Sequence, residues 1–281
     1  MTIIQHSFLA DLGISVDKLS PPLKWAGGKR WLSPKIQPIW KQYADQRLVE
    51  PFVGGMAIAL GLRPASAFLN DINVHLINFY NWLKSGLIID IQMENNEELY
   101  YQYRQRFNQL ITEGKVDSAE SASLFYYLNR TGYNGLCRFN NKGHFNVPFG
   151  RYKTINYNVN FADYLKELSK WEFNSGDFSQ IHLRPNDFVY ADPPYDVDFT
   201  SYSSGGFSWD DQLRLANWLA NHTGPVIVSN QATQRILEVY SKLGFSITTL
   251  EVPRLISCNG DRKPAKEMLA TKGLRDYETL F

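Results

Sequence analysis

Apolar residues along the chain occur in two patterns: short continuous runs that are typical of buried strands, and longer runs with a helical period. Several of the strand-like runs end in or are soon followed by glycine, proline, asparagine or aspartate, which stop strands and form turns. They cover residues 47–53, 67–73, 171–178, 187–190, 225–230, 245–251 and 267–270. Helical periodicity lies between them, for example at 210–221 and 233–242. This alternation predicts an α/β fold around a largely parallel sheet.

One helical region, 72–128, is too long to be a single crossover helix between two strands. It predicts several helices that form an inserted domain. The turn-rich segment 129–158 closes this insertion, and Asn140-Asn141-Lys142-Gly143 within it favours the tip of a β-hairpin. The predicted parts are 21–75 and 160–281 for the α/β domain and 76–159 for the insertion.

Composition excludes several classes of protein. With 44% hydrophobic and 20% charged residues in 281 positions, the chain is typical of globular proteins in water. Residues 1–20 lack a signal-peptide pattern, and no apolar run approaches the roughly 18 residues of a membrane span. We therefore expect a cytoplasmic protein without a membrane partner. The two cysteines, Cys137 and Cys258, lack metal-ligand spacing, so we expect no metal site, no disulfide and two inert thiols.

Charge is unevenly distributed, although the net charge is only +1. No acidic residue lies between Glu120 and Asp163. The same interval contains five cations, namely Arg130, Arg138, Lys142, Arg151 and Lys153. A positive face on a nearly neutral protein predicts a nucleic-acid partner.

The most informative stretch for chemistry is Asp192-Pro193-Pro194-Tyr195, here called the proline turn, which follows the strand-like run 187–190. Prolines cannot donate to a sheet ladder, so the strand must end there in a stiff turn. An acid and an aromatic ring are thereby fixed at the carboxyl end of a strand, where open α/β sheets bind ligands. The Asp192 carboxylate and the Pro193 carbonyl can accept hydrogen bonds from an exocyclic amine, and Tyr195 offers a face to a planar base. From these four residues alone, a simple turn capped by tyrosine is an equal alternative.

Two glycine segments and an acid favour a nucleoside ligand. Gly27-Gly28-Lys29 is not a phosphate loop, because its spacing lacks the first glycine and Arg30 replaces the magnesium-binding hydroxyl; a turn around a core tryptophan is the alternative. The glycine turn 52–55 follows the first strand, where backbone amides can meet a ligand. Asp71 ends the second strand, where an acid accepts hydrogen bonds from ribose hydroxyls. The alternative for Asp71 is a helix N-cap.

Six motifs, in this order, resemble those of Dam-type DNA N6-adenine methyltransferases, and the resemblance extends over 21–274. The motifs are 23–29 (LKWAGGK), 50–55 (EPFVGG), 70–73 (NDIN), 129–138 (NRTGYNGLCR), 145–150 (FNVPFG) and 192–195 (DPPY). Met56 departs from the family pattern, in which a third small residue is common. We expect this departure to affect helix packing and not the identity of the cofactor. The segment before Pro21 also lies outside the family pattern.

The resemblance implies the fold of class I S-adenosylmethionine-dependent methyltransferases. This fold is a mostly parallel seven-stranded sheet with helices on both faces and one antiparallel edge hairpin, interrupted here by a helical and β-hairpin target-recognition domain. S-adenosylmethionine would be the cofactor, with its ribose on Asp71 and its adenine on Asp177 and Phe178. The cofactor-binding residues implied by the resemblance are Trp25, Ala26, Gly27, Lys29, Phe52, Gly54, Asp71, Asp177 and Phe178.

The resemblance also implies the reaction, which is methyl transfer to N6 of an adenine flipped out of duplex DNA. Asp192 and the Pro193 carbonyl would accept hydrogen bonds from the amino group, and Tyr195 would stack on the base. No covalent enzyme intermediate and no metal are needed.

Within the family, the 133–138 pattern accompanies recognition of GATC. Arg138 would bind the guanine opposite the final cytosine, Leu136 the thymine methyl and Lys24 the first guanine, while Tyr133 would lie near the flipped adenine. The alternative is that 133–138 is only a hydrogen-bonded turn. The implied DNA-binding residues are Lys24, Tyr133, Asn134, Leu136, Arg138, Asn140, Arg151 and Tyr152.

Two other functions are compatible with these motifs. A protein glutamine or an RNA base presents a similar planar amide or amine, and an inactive regulator could bind DNA without methylating it. The basic insertion favours duplex DNA as the partner, and the retained cofactor positions favour an enzyme. We expect a monomer, and a cognate restriction endonuclease is compatible as a further partner.

Overall fold

The computed structural model describes residues 19–195, 206–252 and 265–275. Its strands are β1 Leu48–Glu50, β2 Ala67–Asp71, β3 Trp171–Ser175, β4 Phe188–Ala191, β5 Val226–Gln231, β6 Ser246–Val252 and β7 Ala265–Lys272. They form one sheet in the order β3-β2-β1-β4-β5-β7-β6. Each strand overlaps one of the seven runs predicted from the sequence, so the strand predictions are confirmed.

The sheet is parallel except at one edge. Val49 of β1 is paired in parallel register with Phe68 of β2 and Val189 of β4, whereas β7 runs antiparallel to both β5 and β6. The expected mostly parallel sheet with an antiparallel edge hairpin is therefore confirmed. Because β1, β2 and β4 run in the same direction, their carboxyl ends bring the glycine turn, Asp71 and the proline turn to one edge of the sheet.

Several helices of the described residues begin at residues whose side chains cap them. The helices are α1 Ser33–Trp40, α2 Ala57–Leu62, α3 Val74–Lys84, α4 Glu97–Thr112, α5 Ala119–Thr131, α6 Ala162–Leu168, α7 Trp209–Ala220 and α8 Gln234–Lys242. Asn73, Asn96 and Ser118 accept hydrogen bonds from amides in the first turns of α3, α4 and α5. The region 72–128 thus forms several helices, as expected. None of the helices in the described part of the chain is long and apolar enough to cross a lipid bilayer.

Hydrophobic cores cover both faces of the sheet. Side chains alternate along a strand, and in β4 Phe188 belongs to one core and Val189 to the other. The first core continues into the insertion, where Phe79 of α3 stacks on Tyr126 of α5 with ring centroids 5.7 Å apart. The inserted helices are therefore packed continuously with the sheet. The domain boundaries drawn from the sequence remain a prediction.

Met56, which departs from the family pattern, immediately precedes α2. Its backbone is left-handed, with φ of 60°, and its side chain is fully buried in the first core. This conformation costs non-glycine residues roughly 1–2 kcal/mol. The methionine therefore combines an unfavourable backbone with additional core packing, in keeping with the expectation that its effect is local.

Replacing Met56 by alanine or by glycine separates these two effects. Both variants leave a cavity, which should lower the free energy of unfolding by about 2–5 kcal/mol. Glycine also relieves the left-handed backbone, so we expect Met56→Gly to be more stable than Met56→Ala by up to about 1 kcal/mol, although it removes one more carbon. Urea unfolding measures both values, and the opposite order would contradict this account.

Candidate active site and DNA-recognition surface

The proline turn leaves the sheet at the carboxyl end of β4, as the sequence predicts. The residues of β4 are buried between the two cores, and the Pro193 side chain is buried with them. Asp192 is less enclosed, with 21% of its side chain exposed. The strand and its prolines thus hold a carboxylate at the boundary between the core and solvent.

Lys29 is the principal partner of this carboxylate. Its Nζ lies 3.0 Å from Oδ1 of Asp192 and 3.4 Å from Oε1 of Glu267. It also donates to the Tyr195 hydroxyl at 2.6 Å and to the Gly27 carbonyl at 3.0 Å. The side chain is only 4% exposed. These contacts join the segment before α1 to the proline turn and to β7.

Burial and neighbouring charges act in opposite directions on the pKa values of Asp192 and Lys29. Burial raises the pKa of Asp192, and the Lys29 ammonium opposes that rise. Burial alone would lower the pKa of Lys29, but Asp192, Tyr195 and Glu267 raise it above its ordinary value. Lys29 is therefore an ammonium at neutral pH, and it favours the ionised form of Asp192.

Hydrogen bonding leaves one oxygen of Asp192 available. Ser229 of β5 donates to Oδ1 at 3.0 Å and is itself hydrogen-bonded to the Tyr190 hydroxyl at 2.9 Å. Both Ser229 and Lys29 bind Oδ1, and within the described residues no hydrogen bond ends on Oδ2. Oδ2 can therefore accept a hydrogen bond from a ligand.

Two further carboxyl groups near this site were not predicted from the sequence. Glu267 pairs with Lys29, and Glu50, at the end of β1, is 2% exposed. Burial raises the pKa of Glu50 well above its ordinary value, and the nearby Asp192 adds to that rise. The available signal was a glutamate next to apolar residues of a strand-like run in each case, which indicates a buried partner or a buried neutral acid.

Trp25 covers the glycine turn. A Cβ added at Gly54 would lie 2.7 Å from Nε1 of Trp25, and one at Gly55 would lie 2.9 Å from its Cβ. Gly54 also has φ of 44°, so both space and backbone require glycine there. At Gly27, by contrast, an added Cβ would meet nothing within 4 Å. The backbone of Gly27 is therefore open to a ligand.

Asp71 supports the glycine turn from the end of β2. It accepts hydrogen bonds from the backbone N–H of Gly54 and of Asn73, each at 3.0 Å. The N-cap of α3 is Asn73, so the alternative that Asp71 is a helix cap is wrong. Each carboxylate oxygen can accept a second hydrogen bond, and ribose binding by Asp71 stays a prediction.

Asp177 and Phe178 follow β3 at the same edge of the sheet. Burial would raise the pKa of Asp177, but hydrogen bonds from Ser179 and from Arg214 lower it. The Phe178 ring lies 5.7 Å from that of Phe52, centroid to centroid. Aromatic rings, two strand-end carboxylates and an open glycine backbone fit a cofactor with a nucleoside part and an amino-acid part.

Lys24 joins the N-terminal segment to the insertion. Its N–H donates to Oδ1 of Asn129 and its carbonyl accepts from Nδ2 of Asn129, both at 2.8 Å. Its Nζ donates to the Arg130 carbonyl at 2.8 Å and lies 3.7 Å from the centroid of the Tyr152 ring. Burial, followed by the charge of Arg130, lowers the pKa of Lys24 to about 8. Asn129 belongs to the 129–138 motif, but no role was predicted for it from the sequence.

Arg138 is held beside the predicted hairpin. Its Nε donates to Oδ1 of Asn146 at 2.8 Å and its Nη2 to the Asn146 carbonyl at 3.2 Å. Phe139 and Phe145 form an antiparallel bridge, and Asn140 accepts hydrogen bonds from the amides of the tip. The hairpin is confirmed as a short bridged turn, and the observed contacts of Asn140 stabilise that turn.

The remaining predicted DNA-binding residues lie in the segments 133–136 and 151–152. Tyr133 is 50% exposed, and Asn134 has a left-handed backbone with φ of 53°. Arg151 is largely exposed and lies 3.3 Å from Glu97, while the Tyr152 hydroxyl donates to the Gly132 carbonyl. Leu136 is half-buried. Lys24, 133–138 and 151–152 thus form one surface, here called the DNA-recognition surface.

Cys137 is a partly buried thiol in the insertion. Cys137 accepts a hydrogen bond from Nδ2 of Asn73 at 3.3 Å, and burial raises the pKa of its thiol to about 12. A thiol with that pKa is protonated at neutral pH and is a poor nucleophile. Cys258 lies outside the described residues.

Removing the charge of Lys29 should make stability depend on pH. In Lys29→Met, the pKa of Asp192 should rise further, so the fold retains a proton that the unfolded chain releases. Stability should then fall as pH rises through the interval between the two pKa values. We expect a loss of up to about 3 kcal/mol at pH 8 and a smaller loss at pH 5. Urea unfolding at both pH values measures the difference.

Two variants serve as references for this experiment. Lys35→Met removes an exposed lysine of α1 and should show no such pH dependence. Adding Asp192→Asn to Lys29→Met should remove most of it. Equal losses at pH 5 and pH 8 in Lys29→Met would contradict the proposed coupling.

Comparison with known proteins identifies the family. The family model described as D12 class N6 adenine-specific DNA methyltransferase matches residues 25–256. The Retron Ec67 DNA adenine methylase of Escherichia coli is 35% identical over 271 residues, covering 92% of this chain and 93% of that protein. The DNA adenine methylase of Vibrio cholerae serotype O1 is 36% identical over 272 residues, covering 88% and 94%. The type II methyltransferase M.MjaIII of Methanocaldococcus jannaschii is 32% identical over 281 residues, covering 88% and 96%. The chain therefore belongs to the D12 class of N6 adenine-specific DNA methyltransferases, for which S-adenosylmethionine is the methyl donor.

Proposed function

We propose that the protein methylates N6 of the adenine in GATC after that base has rotated out of the duplex into the site at the proline turn. The observation that carries the proposal is the Asp192 carboxyl group, paired with Lys29 next to the Tyr195 ring and, among the described residues, with no hydrogen bond to Oδ2. Rotation is required because N6 is paired and enclosed in the stack, and it costs a few kcal/mol.

The proline turn prepares the amino group for reaction. The lone pair of adenine N6 is delocalised into the ring, which makes the nitrogen a poor nucleophile. Hydrogen bonds from N6 to Oδ2 of Asp192 and to the Pro193 carbonyl localise that lone pair on nitrogen and orient it. Tyr195 stacks on the base and fixes its plane. Most of the rate then comes from position and from the preorganised acceptors.

The cofactor binds along the adjoining strand ends. When bound, S-adenosylmethionine supplies an electrophilic methyl group on a sulfonium. Asp71 binds the ribose, and Asp177 and Phe178 bind the edge and face of the adenine. The residues that we assign to the methionine part are Trp25, Ala26, Gly27, Phe52 and Gly54, and Lys29 is a further residue of the cofactor site.

The DNA-recognition surface selects the sequence. The two hydrogen bonds from Arg138 to Asn146 use Nε and one hydrogen of Nη2, so Nη1 and the second Nη2 hydrogen are available for O6 and N7 of guanine. Leu136 contacts the thymine methyl, Lys24 binds the first guanine, and Tyr133 lies beside the vacated position. Asn134, Asn140, Arg151 and Tyr152 complete the contacts. A monomeric state, a cytoplasmic location and a cognate restriction endonuclease remain predictions from the sequence.

Removing the acceptor at Asp192 should stop the reaction without preventing DNA binding. Asp192→Ala deletes the carboxylate that holds N6 but no phosphate contact, so we expect methyl transfer to disappear and duplex affinity to remain within a few-fold of wild type. Transfer of labelled methyl and a binding titration measure the two quantities. Full activity in this variant would refute the proposed mechanism.

Two arginine variants should distinguish a contact to a base from a contact to a phosphate. Arg138→Ala should lose about 1–3 kcal/mol of discrimination, mainly at the last base pair of GATC. Arg151→Ala should weaken binding to all duplexes alike and reduce the slope of log affinity against log salt by about one. Sequencing of methylated plasmid and salt titrations measure these effects, with Lys24→Ala as the corresponding variant for the first base pair.

Two results would refute the assignment of GATC as the methylated sequence. Methylation confined to a motif other than GATC would refute it, as would Arg138→Ala with unchanged preference at the last pair. An unchanged salt slope in Arg151→Ala would place that side chain away from the phosphates.

A further inference from the structure

The two prolines fix only part of the geometry of the proline turn. Their rings hold φ of Pro193 and Pro194 at about −65°, but the direction of the Pro194 carbonyl depends on ψ, which the ring leaves variable. That direction determines where the chain places Tyr195. Another group must therefore hold the Pro194 carbonyl.

A chain of buried amides performs this task. Nε2 of Gln212 donates to the Pro194 carbonyl oxygen at 2.8 Å. Oε1 of Gln212 accepts from Nδ2 of Asn230 at 3.0 Å, and Oδ1 of Asn230 accepts from the backbone N–H of Gln231 at 2.8 Å. Gln212 is 2% exposed and Asn230 is fully buried, so water is excluded from the hydrogen bond between the two amides.

The orientation of the two side-chain amides is determined at both ends of this series of hydrogen bonds. The backbone N–H of Gln231 can only donate, so Asn230 must present its oxygen there and its nitrogen to Gln212. Gln212 must then direct its oxygen to Asn230 and its nitrogen to Pro194. The Pro194 carbonyl can only accept, which requires the same orientation. Asn230 thus controls which atom of Gln212 reaches the turn.

Both amides are carried by well-anchored elements. Gln212 lies near the start of α7, where Ser208 and Asp211 form a reciprocal capping box. Asn230 follows Ser229 in β5, and Ser229 donates to Asp192. Two adjacent residues of β5 therefore support the proline turn at two points, its acid directly and its last proline carbonyl through Gln212.

We infer that Gln212, oriented by Asn230, is a positioning residue for methyl transfer, which sets the direction of the Pro194 carbonyl and thereby the placement of Tyr195 against the target base. The inference rests on the proposed function, in which Tyr195 stacks on the flipped adenine. Gln212 and Asn230 act through the turn and do not touch the base.

Three variants and one control test this inference. Gln212→Glu keeps the shape but has no N–H donor when ionised, and Gln212→Met has neither polar atom. Asn230→Asp presents an acceptor to Gln212, which must then turn its nitrogen away from Pro194. Asn217→Asp changes an exposed amide on α7 and serves as the control.

We expect the three variants to lower kcat about 10–100-fold, since small displacements in an active site have effects of that size. The KM for S-adenosylmethionine and the affinity for duplex DNA should stay within about twofold of wild type. With 2-aminopurine at the target position, fluorescence should be brighter than with wild type, because Tyr195 no longer stacks on the base and quenches it. Relative to wild type, Gln212→Glu should recover as pH falls, because a protonated carboxyl can donate to Pro194. Gln212→Met should not recover.

Several results would overturn the inference. If kcat of Gln212→Met and Asn230→Asp stays within about twofold of wild type while Asp192→Ala is inactive, the inference is wrong and the proposed function stands. Parallel losses of kcat, cofactor affinity and unfolding temperature, with no recovery of Gln212→Glu at low pH, would indicate a general structural role and also overturn it. Activity in Asp192→Ala would refute the proposed function instead.

Discussion

The pairing of the Asp192 carboxylate with the Lys29 ammonium is the constraint around which the catalytic edge is assembled. A charged group in a largely dry site costs several kcal/mol unless a partner and hydrogen bonds compensate for lost water. Those partners come from distant parts of the chain, Lys29 from the N-terminal segment and Ser229 from β5, and Lys29 also pairs with a second acid, Glu267 of β7. Satisfying one acid therefore requires the segment before α1 to lie across the ends of three strands.

The same N-terminal segment also contacts the cofactor turn and the insertion. Trp25 covers the glycine turn, and Lys24 exchanges two hydrogen bonds with Asn129. Gly135 is constrained by this contact, because an added Cβ would lie 2.4 Å from Cβ of Lys24. A few residues thus connect the acid assigned to the target amino group, the turn assigned to the cofactor and the surface assigned to DNA. Their spacing along the chain fixes these three parts relative to one another.

The elements could be predicted from the sequence because their signals are local. Strand-like runs with terminal breakers gave all seven strands, and the prolines after β4 located the end of that strand. Contacts between side chains were harder to predict, because periodicity indicates which side of an element is buried but not which residues pack against that side. Asp192 and Ser229 are 37 residues apart, and Lys29 and Glu267 are farther still. Gln212 and Asn230 appear in sequence as ordinary polar residues, and only their burial distinguishes them.

The exchange of hydrogen bonds between Lys24 and Asn129 has a consequence for the evolution of specificity in this architecture. The surface assigned to base contact draws on segments 105 residues apart in sequence, one preceding the first strand and the other inside the insertion. A recombination event that replaced the insertion alone would leave Lys24 in contact with an insertion from another protein. New specificities should therefore arise more readily by paired substitutions across the two segments, or by changes at the hairpin alone, than by exchange of a whole recognition cassette.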